Sequence, residues 1–401
     1  MPKNNELNGS LKTSPDNVNK NHSLLEKREM ILSMSDSVSS KDNYILNLSG
    51  TQSNEPEFRV CTGMSDYSCV VYNVGEKLTK IATLTDNKSP IVGTKFSTTS
   101  KNILYIATST GGTTVCDLRA KGKIVGEFKD NSAEGKLKPL TSFDISIDDK
   151  LLAAGTEHIG GDAFILFWDV RYNNSKTADV TTNLLGGYWE SHTDDITSLS
   201  FHPEKQNCLL SGSTDGLINM FDLTQTSEES ALTICLNTES SVDKIGWLDN
   251  SDVWCTTHTH ELQLWHHEDA IPFGKYDRAV VAKSLNNEHV ENCYLINMHN
   301  RSDGEPFLLA GSSTPKSENL NALAVESDGF KVYLDFTENE QLVRDSWYHT
   351  KSGCLVTGGE SSLLNIWKPT EEIINRMEKK SLSKLNGKTS IRDKGNRAKP
   401  Y

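Results

Sequence analysis

His192, Ser211 and Asp215 are the residue types that assemble a hydrolytic triad, and they fall within one short stretch of the chain. A serine nucleophile needs its base in contact and an oxyanion site beside it. The sequence signals neither, and no G-x-S-x-G elbow is present. The three are therefore expected to form a structural network. His192 donates to Asp215, and Ser211 carries the chain toward the third strand of its unit, where Phe221 brings no donor. Four histidines, His258, His260, His266 and His267, lie close enough in sequence to suggest a transition-metal site. His258 and His260 share a face only if their strand continues, however, and His266 takes a strand-end slot. Loop-end histidines with backbone partners are expected instead, and no metal is assigned. Gly111-Gly112 lacks the strand-loop-helix setting and the lysine of a phosphate loop. It reads as a turn, and no cofactor is assigned. Eight cysteines (61, 69, 116, 208, 235, 255, 293, 354) form no C-x-x-C pair. Most sit in apolar runs, where Cys behaves as a small hydrophobe. None of these residues needs catalysis to explain it, and the chain reads as a non-enzyme.

More specific is a pair of D-x-R boxes, Cys116-Asp117-Leu118-Arg119 and Trp168-Asp169-Val170-Arg171. A planar, always-charged guanidinium suits bidentate contact with a carboxylate, which Lys would not reproduce. That carboxylate is either the Asp two residues back or one belonging to a partner.

The elements that must position these groups come from a repeat. Aromatic-Asp pairs, or their replacements, occur at Tyr72-Asn73, Cys116-Asp117, Trp168-Asp169, Phe221-Asp222, Trp265-His266 and Trp367-Lys368. Their spacings are 44, 52, 53, 44 and then 102, which is two steps with a degenerate unit near Asn319 to Val325. Seven units result, close to the roughly 40–45 residue period of a propeller blade. Within a unit the apolar runs are short and separated by turn residues. Ile91 to Phe96, Asn102 to Thr108, Thr113 to Asp117 and Lys123 to Phe128 make four strands. Leu140 to Ile145, Lys150 to Thr156, Ala163 to Asp169 and Thr182 to Tyr188 make the next four. Four strands per unit predicts an all-β, seven-bladed propeller rather than a sandwich.

The last unit has no fourth strand after Trp367-Lys368-Pro369. Arg28 to Met34 is an orphan strand-like run, and pairing it with the last blade would close the ring and remove an edge. Tyr44 to Leu48, the other candidate, is better used as the innermost strand of the first blade. The expected domain is therefore 28–369, preceded by a polar segment 1–27 too poor in apolar residues to fold alone. Residues 370–401 are expected to form a short helix, N-capped by Thr370 with Glu371 and Glu372 in its first turn, and then a basic tail.

The formal charge of −13 is uneven. From Arg376 to Tyr401 nine Lys or Arg face two acids, so residues 1–375 carry −20. An acidic body repels phosphate backbones, which leaves nucleic acid only the tail as a contact. The N-terminal residues lack the apolar core of a secretory signal, and no apolar run reaches the roughly 18 residues of a bilayer span. A monomeric propeller in the nucleus or cytoplasm that binds other proteins is expected. A propeller hydrolase or metal enzyme is the contrasting class, and it would need acid and base residues converging on the central channel.

Several of these stretches resemble known repeats. His192 to Asp222, with F-H-P, S-G-S-T-D-G and Phe221-Asp222, resembles one whole WD repeat. Ala154-Gly-Thr-Glu157 followed by Phe164 to Arg171 joins Tyr188-Trp-Glu-Ser-His-Thr-Asp-Asp-Ile196 and Ile366-Trp-Lys-Pro369 in resembling the WD repeat-containing protein 89 family. The resemblance covers roughly residues 100 to 370 and implies a seven-bladed scaffold with little defined chemistry. The paired D-x-R boxes resemble those of propellers that dock on the DNA-damage-binding adaptor of cullin-4 ubiquitin ligases. By that resemblance Asp169, Arg171, Asp117 and Arg119 are docking residues. Ala107-Thr-Ser109 and Ala153-Ala-Gly155 match the small triplets of the box, and Glu157 its acidic turn residue. Cys116 stands where that box has Trp, Gly111 where it has an acid, and His158 to Asp162 lengthen the second box.

Overall fold

A computed structural model of the chain describes residues 30–370, apart from 40–41, 53–54, 131–136, 173–183, 249–251, 270, 302–303, 316 and 327–328. Seven four-stranded antiparallel sheets follow one another in chain order. Blade one comprises Ile45–Gly50, Phe58–Met64, Cys69–Val74 and Leu78–Leu84. Blade two comprises Ile91–Phe96, Ile103–Thr108, Gly112–Asp117 and Lys123–Lys129. Blade three holds Leu140–Ile145, Leu151–Thr156, Ile165–Asp169 and Leu184–Tyr188, and blade four Ser198–Phe201, Cys208–Gly212, Leu217–Asp222 and Leu232–Asn237. Blades five and six begin at Val242–Trp247 and Cys293–Asn300 and end at Gly274–Tyr276 and Gly329–Asp335. The strands foreseen in blades two and three agree to within two residues at each described end.

Burial explains why these runs form strands where they do. The second strand of a blade faces neighbouring blades on both sides, so it reads as an unbroken apolar run. Leu151–Thr156, of sequence L-L-A-A-G-T, is buried at every position but the first. The outermost strand faces solvent, and Leu78–Leu84 is buried only at Ala82 and Leu84. Two second-strand glycines let the next blade approach. A Cβ on Gly155 would lie 2.6 Å from Ile196 of blade four, and one on Gly358 would lie 2.5 Å from Ile45 of blade one.

The ring closes through the N-terminal run. Met30–Ser37 is the outermost strand of blade seven, antiparallel to Leu363–Pro369 from Met30 opposite Pro369 to Ser37 opposite Leu363. Met30 joins Trp367 and Phe336 in one buried cluster, so the closure is apolar as well as hydrogen-bonded. The strand thus falls on the expected run, of which Arg28 and Glu29 lie outside the described residues. Ile45–Gly50 takes the innermost place in blade one, as expected. The degenerate unit is blade six, whose third strand is Ser317–Glu326. In five blades a bulge against the fourth strand precedes one particular residue, and in blades one to four that residue is Tyr72, Cys116, Trp168 or Phe221. In blade six the residue is Leu323, fully buried. Leucine fills the slot without leaving an aromatic to read.

Two short helices are absent from the expectations, Glu228–Ala231 between the third and fourth strands of blade four and the longer Arg278–Ser284. Arg278–Ser284 is a helix between blades five and six, N-capped by Asp277, whose carboxylate accepts from the Val280 N–H. It buries Val281 and Ala282, and Val281 joins a core cluster shared by blades five and six. The polar segment 1–27 and residues 371–401, on which the expected helix and basic tail fall, lie outside the described residues. Among the described residues no helix is long and apolar enough to cross a membrane.

Candidate functional site

Two polar constellations occupy opposite ends of the blade strands. In blade four, His192 Nδ1 lies 3.0 Å from Asp215 Oδ2, and His192 Nε2 lies 2.6 Å from Ser211 Oγ. A carboxylate only accepts, so Nδ1–H donates to it and the ring's orientation is fixed. Asp215 also accepts from the N–H groups of Thr193, at 3.0 Å, and Leu217, at 2.9 Å. The turn that presents it closes on Gly216, at a φ of 88° that favours glycine. Burial alone would raise the Asp215 carboxyl, but the bonds from His192, Thr193 and Leu217 outweigh it and hold the group below the usual range. Ser211 is fully buried.

The link onward to the third strand is not made by Phe221. It comes from Asn219, two residues earlier, whose Nδ2 donates to Ser191 O at 2.8 Å and lies 3.3 Å from His192 Nε2. The sequence signal was available, since Asn219 is a polar residue amid the apolar run I-N-M-F. Blade seven holds the complementary half of the arrangement. Its Trp367 indole N–H donates to Thr357 Oγ1 at 2.9 Å.

At the other end of the strands lie the D-x-R boxes. Asp117 stands opposite Ile103, and Asp169 stands opposite Leu151, at equivalent registers of adjacent blades. A single 3-10 turn follows each, Leu118–Ala120 and Val170–Tyr172. Asp117 Oδ1 accepts from Arg119 N at 2.9 Å and Nε at 3.0 Å, and Oδ2 accepts from Nη2 at 2.8 Å. Asp169 repeats this with Arg171 at 3.0, 2.9 and 2.6 Å. These bonds hold both carboxyls below the usual range, the arginine side chains contributing most. The local pair is therefore formed in both boxes, yet the Arg119 and Arg171 side chains stay 68% and 60% exposed. Blade four carries the same turn without an arginine. Asp222 Oδ1 accepts from Thr224 N at 3.0 Å and Oγ1 at 2.7 Å. There the Thr224 and Gln225 side chains take the place on the carboxylate that Arg119 and Arg171 hold in blades two and three.

The four histidines face separate partners. His258 Nε2 is 3.8 Å from Asp243, His266 Nδ1 is 3.0 Å from Asp252, and His267 Nε2 is 3.6 Å from Glu268. His260 accepts from the Leu295 N–H at 3.4 Å. Among the described residues no group of three or more His, Cys, Asp or Glu is arranged to hold a metal ion. All eight cysteines are free.

The innermost strands surround a channel of about 310 Å³. Its two charged lining groups pair with each other: Lys244 Nζ lies 3.4 Å from Asp345 Oδ1 and donates to Ile296 O at 2.9 Å. Asp345 Oδ2 also accepts from the Leu48 N–H at 2.7 Å, which ties blade seven to blade one. Burial, and then the Lys244 charge, push His299 down to about 3, so its ring is neutral at physiological pH. Its Nε2 lies 2.8 Å from Ser346 Oγ. Each of these groups ties one blade to another.

Residues 185–222 match the family model described as WD domain, G-beta repeat. The chain is similar to an uncharacterized WD repeat-containing protein of Saccharomyces cerevisiae, 31% identical over 239 residues, which is 56% of this chain and 55% of that protein. It is similar to the WD repeat-containing protein GTS1 of Arabidopsis thaliana, 29% identical over 63% of this chain and 64% of that protein. A WD repeat-containing protein 89 homolog of Dictyostelium discoideum is 23% identical over 91% of this chain and 94% of its own length. The match thus spans a little over half of the first relative, just under two thirds of the second and nearly all of the third.

Proposed function

We propose that this chain, a seven-bladed WD-repeat propeller similar over 91% of its length to a WD repeat-containing protein 89 homolog, works as a non-catalytic scaffold for other proteins. The observation that carries this reading is the repeated Asp-Arg pair. Two guanidinium groups sit at equivalent places on one rim, each oriented by its own carboxylate and each more than half exposed. A pre-oriented, solvent-facing Arg costs little ordering to engage a partner's carboxylate. In blade four the equivalent aspartate closes its turn with Thr224 and Gln225 in place of an arginine, which supports a role for the Arg beyond the turn. An intracellular setting, nuclear or cytoplasmic, belongs to the same reading, because eight free cysteines suit a reducing compartment. Quantitative affinity purification of the tagged full chain from its own cells tests it. A reproducible set of bound proteins is expected, and recovery of none above a tag control would end the scaffold reading.

A narrower reading makes the rim the docking face for the adaptor of cullin-4 ligases, and the two boxes in adjacent blades favour it. Arg171→Ala should then lower co-purified adaptor strongly. Arg119→Ala should do less, since Cys116 and Gly111 leave its box incomplete. Adaptor recovered at undiminished levels with both arginines replaced would remove this reading and leave the scaffold one.

A further inference from the structure

The side of the propeller between blades three and four carries an open cavity of about 580 Å³ that neither constellation uses. One wall is the outermost strand of blade three, and the other is the Leu223–Glu229 stretch of blade four. Two large apolar residues stand in it exposed, Leu185 at 60% and Trp189 at 51%. Phe167, Tyr188 and Leu223 extend the apolar surface behind them. Exposed clusters of this kind on a folded domain mark interaction sites more often than isolated apolar residues do.

The backbone that carries Trp189 is fixed. Glu228 accepts from the N–H groups of Trp189, at 2.8 Å, and Glu190, at 2.9 Å, and from the Ser191 hydroxyl. Glu228 itself begins a turn of helix capped by Ser227. The indole is thereby presented on a pinned segment, which lowers the ordering cost of using it. On the same wall Gly186, at a φ of 148°, has open space where a Cβ would be, so a ligand backbone can come close.

The charge of the groove is one-sided. Glu190, Glu228 and Glu229 line it, and none of its described lining residues is basic. Glu228 is committed to the backbone, whereas the exposed Glu190 and Glu229 carboxylates have no cationic partner among the described residues. Residues 1–375 add a field of −20 that draws cations toward it.

We propose that this groove docks an extended, cationic segment of a partner protein, in which Lys or Arg alternates with bulky apolar residues. The cation lies over the Trp189 face with Glu190 or Glu229 beside it, and the apolar neighbour enters between Leu185 and Leu223. This inference rests on the scaffold reading and assigns it a partner chemistry and a second face, distinct from the rim.

The probe is a fluorescein-labelled twelve-residue peptide of alternating Arg and Leu, titrated into the full chain by anisotropy. An Arg/Ser peptide should bind about tenfold more weakly, and a Glu/Leu peptide should show no binding at the same concentrations. Trp189→Ala should weaken the Arg/Leu peptide about tenfold, and Glu190→Gln with Glu229→Gln several-fold, all with an unchanged thermal midpoint. Glu76→Gln with Glu340→Gln, which removes two exposed acids elsewhere, should leave affinity unchanged. Equal losses from the two double variants would mean general attraction to an acidic body and would overturn the proposal. Binding seen only after residues 376–401 are deleted would assign the groove to the chain's own basic tail and would likewise overturn it. Cellular partners captured equally by wild type and Trp189→Ala would sink the groove while the scaffold reading stood. An empty capture with wild type would sink the scaffold reading itself.

Discussion

The buried end of blade four and the exposed rim of blades two and three are built from the same kind of contact, a carboxylate gripping side-chain nitrogen. They differ in their access to water. The His192 and Asp215 side chains are 1% and 6% exposed, whereas Arg171 is 60% exposed over an Asp169 at 6%. Removing the acceptor from the buried set leaves the His192 donor, on a side chain 1% exposed, without its partner, and a desolvation penalty follows. Removing an exposed guanidinium leaves a carboxylate that still accepts from the backbone N–H two residues on, so its turn stays closed. Stability therefore resides in the first region, and the second is free to serve recognition.

The largest perturbation removes the frame in which both regions sit. Deleting residues 1–38 takes away the Met30–Ser37 strand and leaves blade seven with an open edge, so aggregation and a lower thermal midpoint are expected. Deleting residues 1–20 spares that strand and should leave the midpoint unchanged. Equal midpoints for the two truncations would show that the closure strand is dispensable.

Next in size is the buried carboxylate. Asp215→Ala should cost about 1–3 kcal/mol in chemical denaturation, because His192, Thr193 and Leu217 lose an acceptor together. A loss near zero would dissolve the contrast between the two regions. The same variant has a pH signature. The Asp215 carboxyl is held low in the folded chain, so its contribution is fully present above the unfolded value of about 3.9 and disappears as the pH falls through the folded value. The stability gap between wild type and Asp215→Ala should therefore be constant from about pH 7 to 5 and close in more acidic solution.

Thr357→Val in blade seven sharpens the comparison with a single donor. Only the Trp367 indole N–H is orphaned, so the cost should fall at or below the lower end of the Asp215 range, about 1 kcal/mol. A loss as large as that of Asp215→Ala would mean that the number of orphaned donors does not set the cost. Smallest of all is the rim. Replacing Arg119 and Arg171 by Ala together should leave the denaturation midpoint unchanged, and a clear drop would place those residues in the folding machinery.

Much of the frame was legible because the third strand of a blade demands one large buried residue at a fixed place. Tyr72, Trp168, Phe221, Trp265 and Trp367 fill it and mark five blades directly, and Cys116 marks a sixth through the Asp that follows. Blade six was legible only as a gap, since Leu323 fills the same slot without an aromatic ring. The Arg278–Ser284 helix was missed because its signal, the Asp277 cap before A-V-V-A, lies in a connection that the repeat spacing had already absorbed. At the site, residue types and spacing identified His192, Ser211 and Asp215. They left the third-strand contact without a donor at Phe221 and passed over Asn219, whose amide lies beside His192 and donates to Ser191 O. The blade three-four groove was not legible at all. Leu185 and Trp189 are ordinary strand residues in sequence, and their exposure depends on how far blade four stands away.

The most direct measurement takes partner capture and denaturation midpoint from the same preparations of three chains: wild type, the Arg119→Ala/Arg171→Ala variant, and Asp215→Ala kept well below its midpoint. The two variants should cross over. The arginine variant is expected to lose captured partners at an unchanged midpoint, and Asp215→Ala to keep them at a lowered one. Partners retained in full by the arginine variant, or lost by a folded Asp215→Ala chain, would contradict the division between a stabilising interior and a recognising rim.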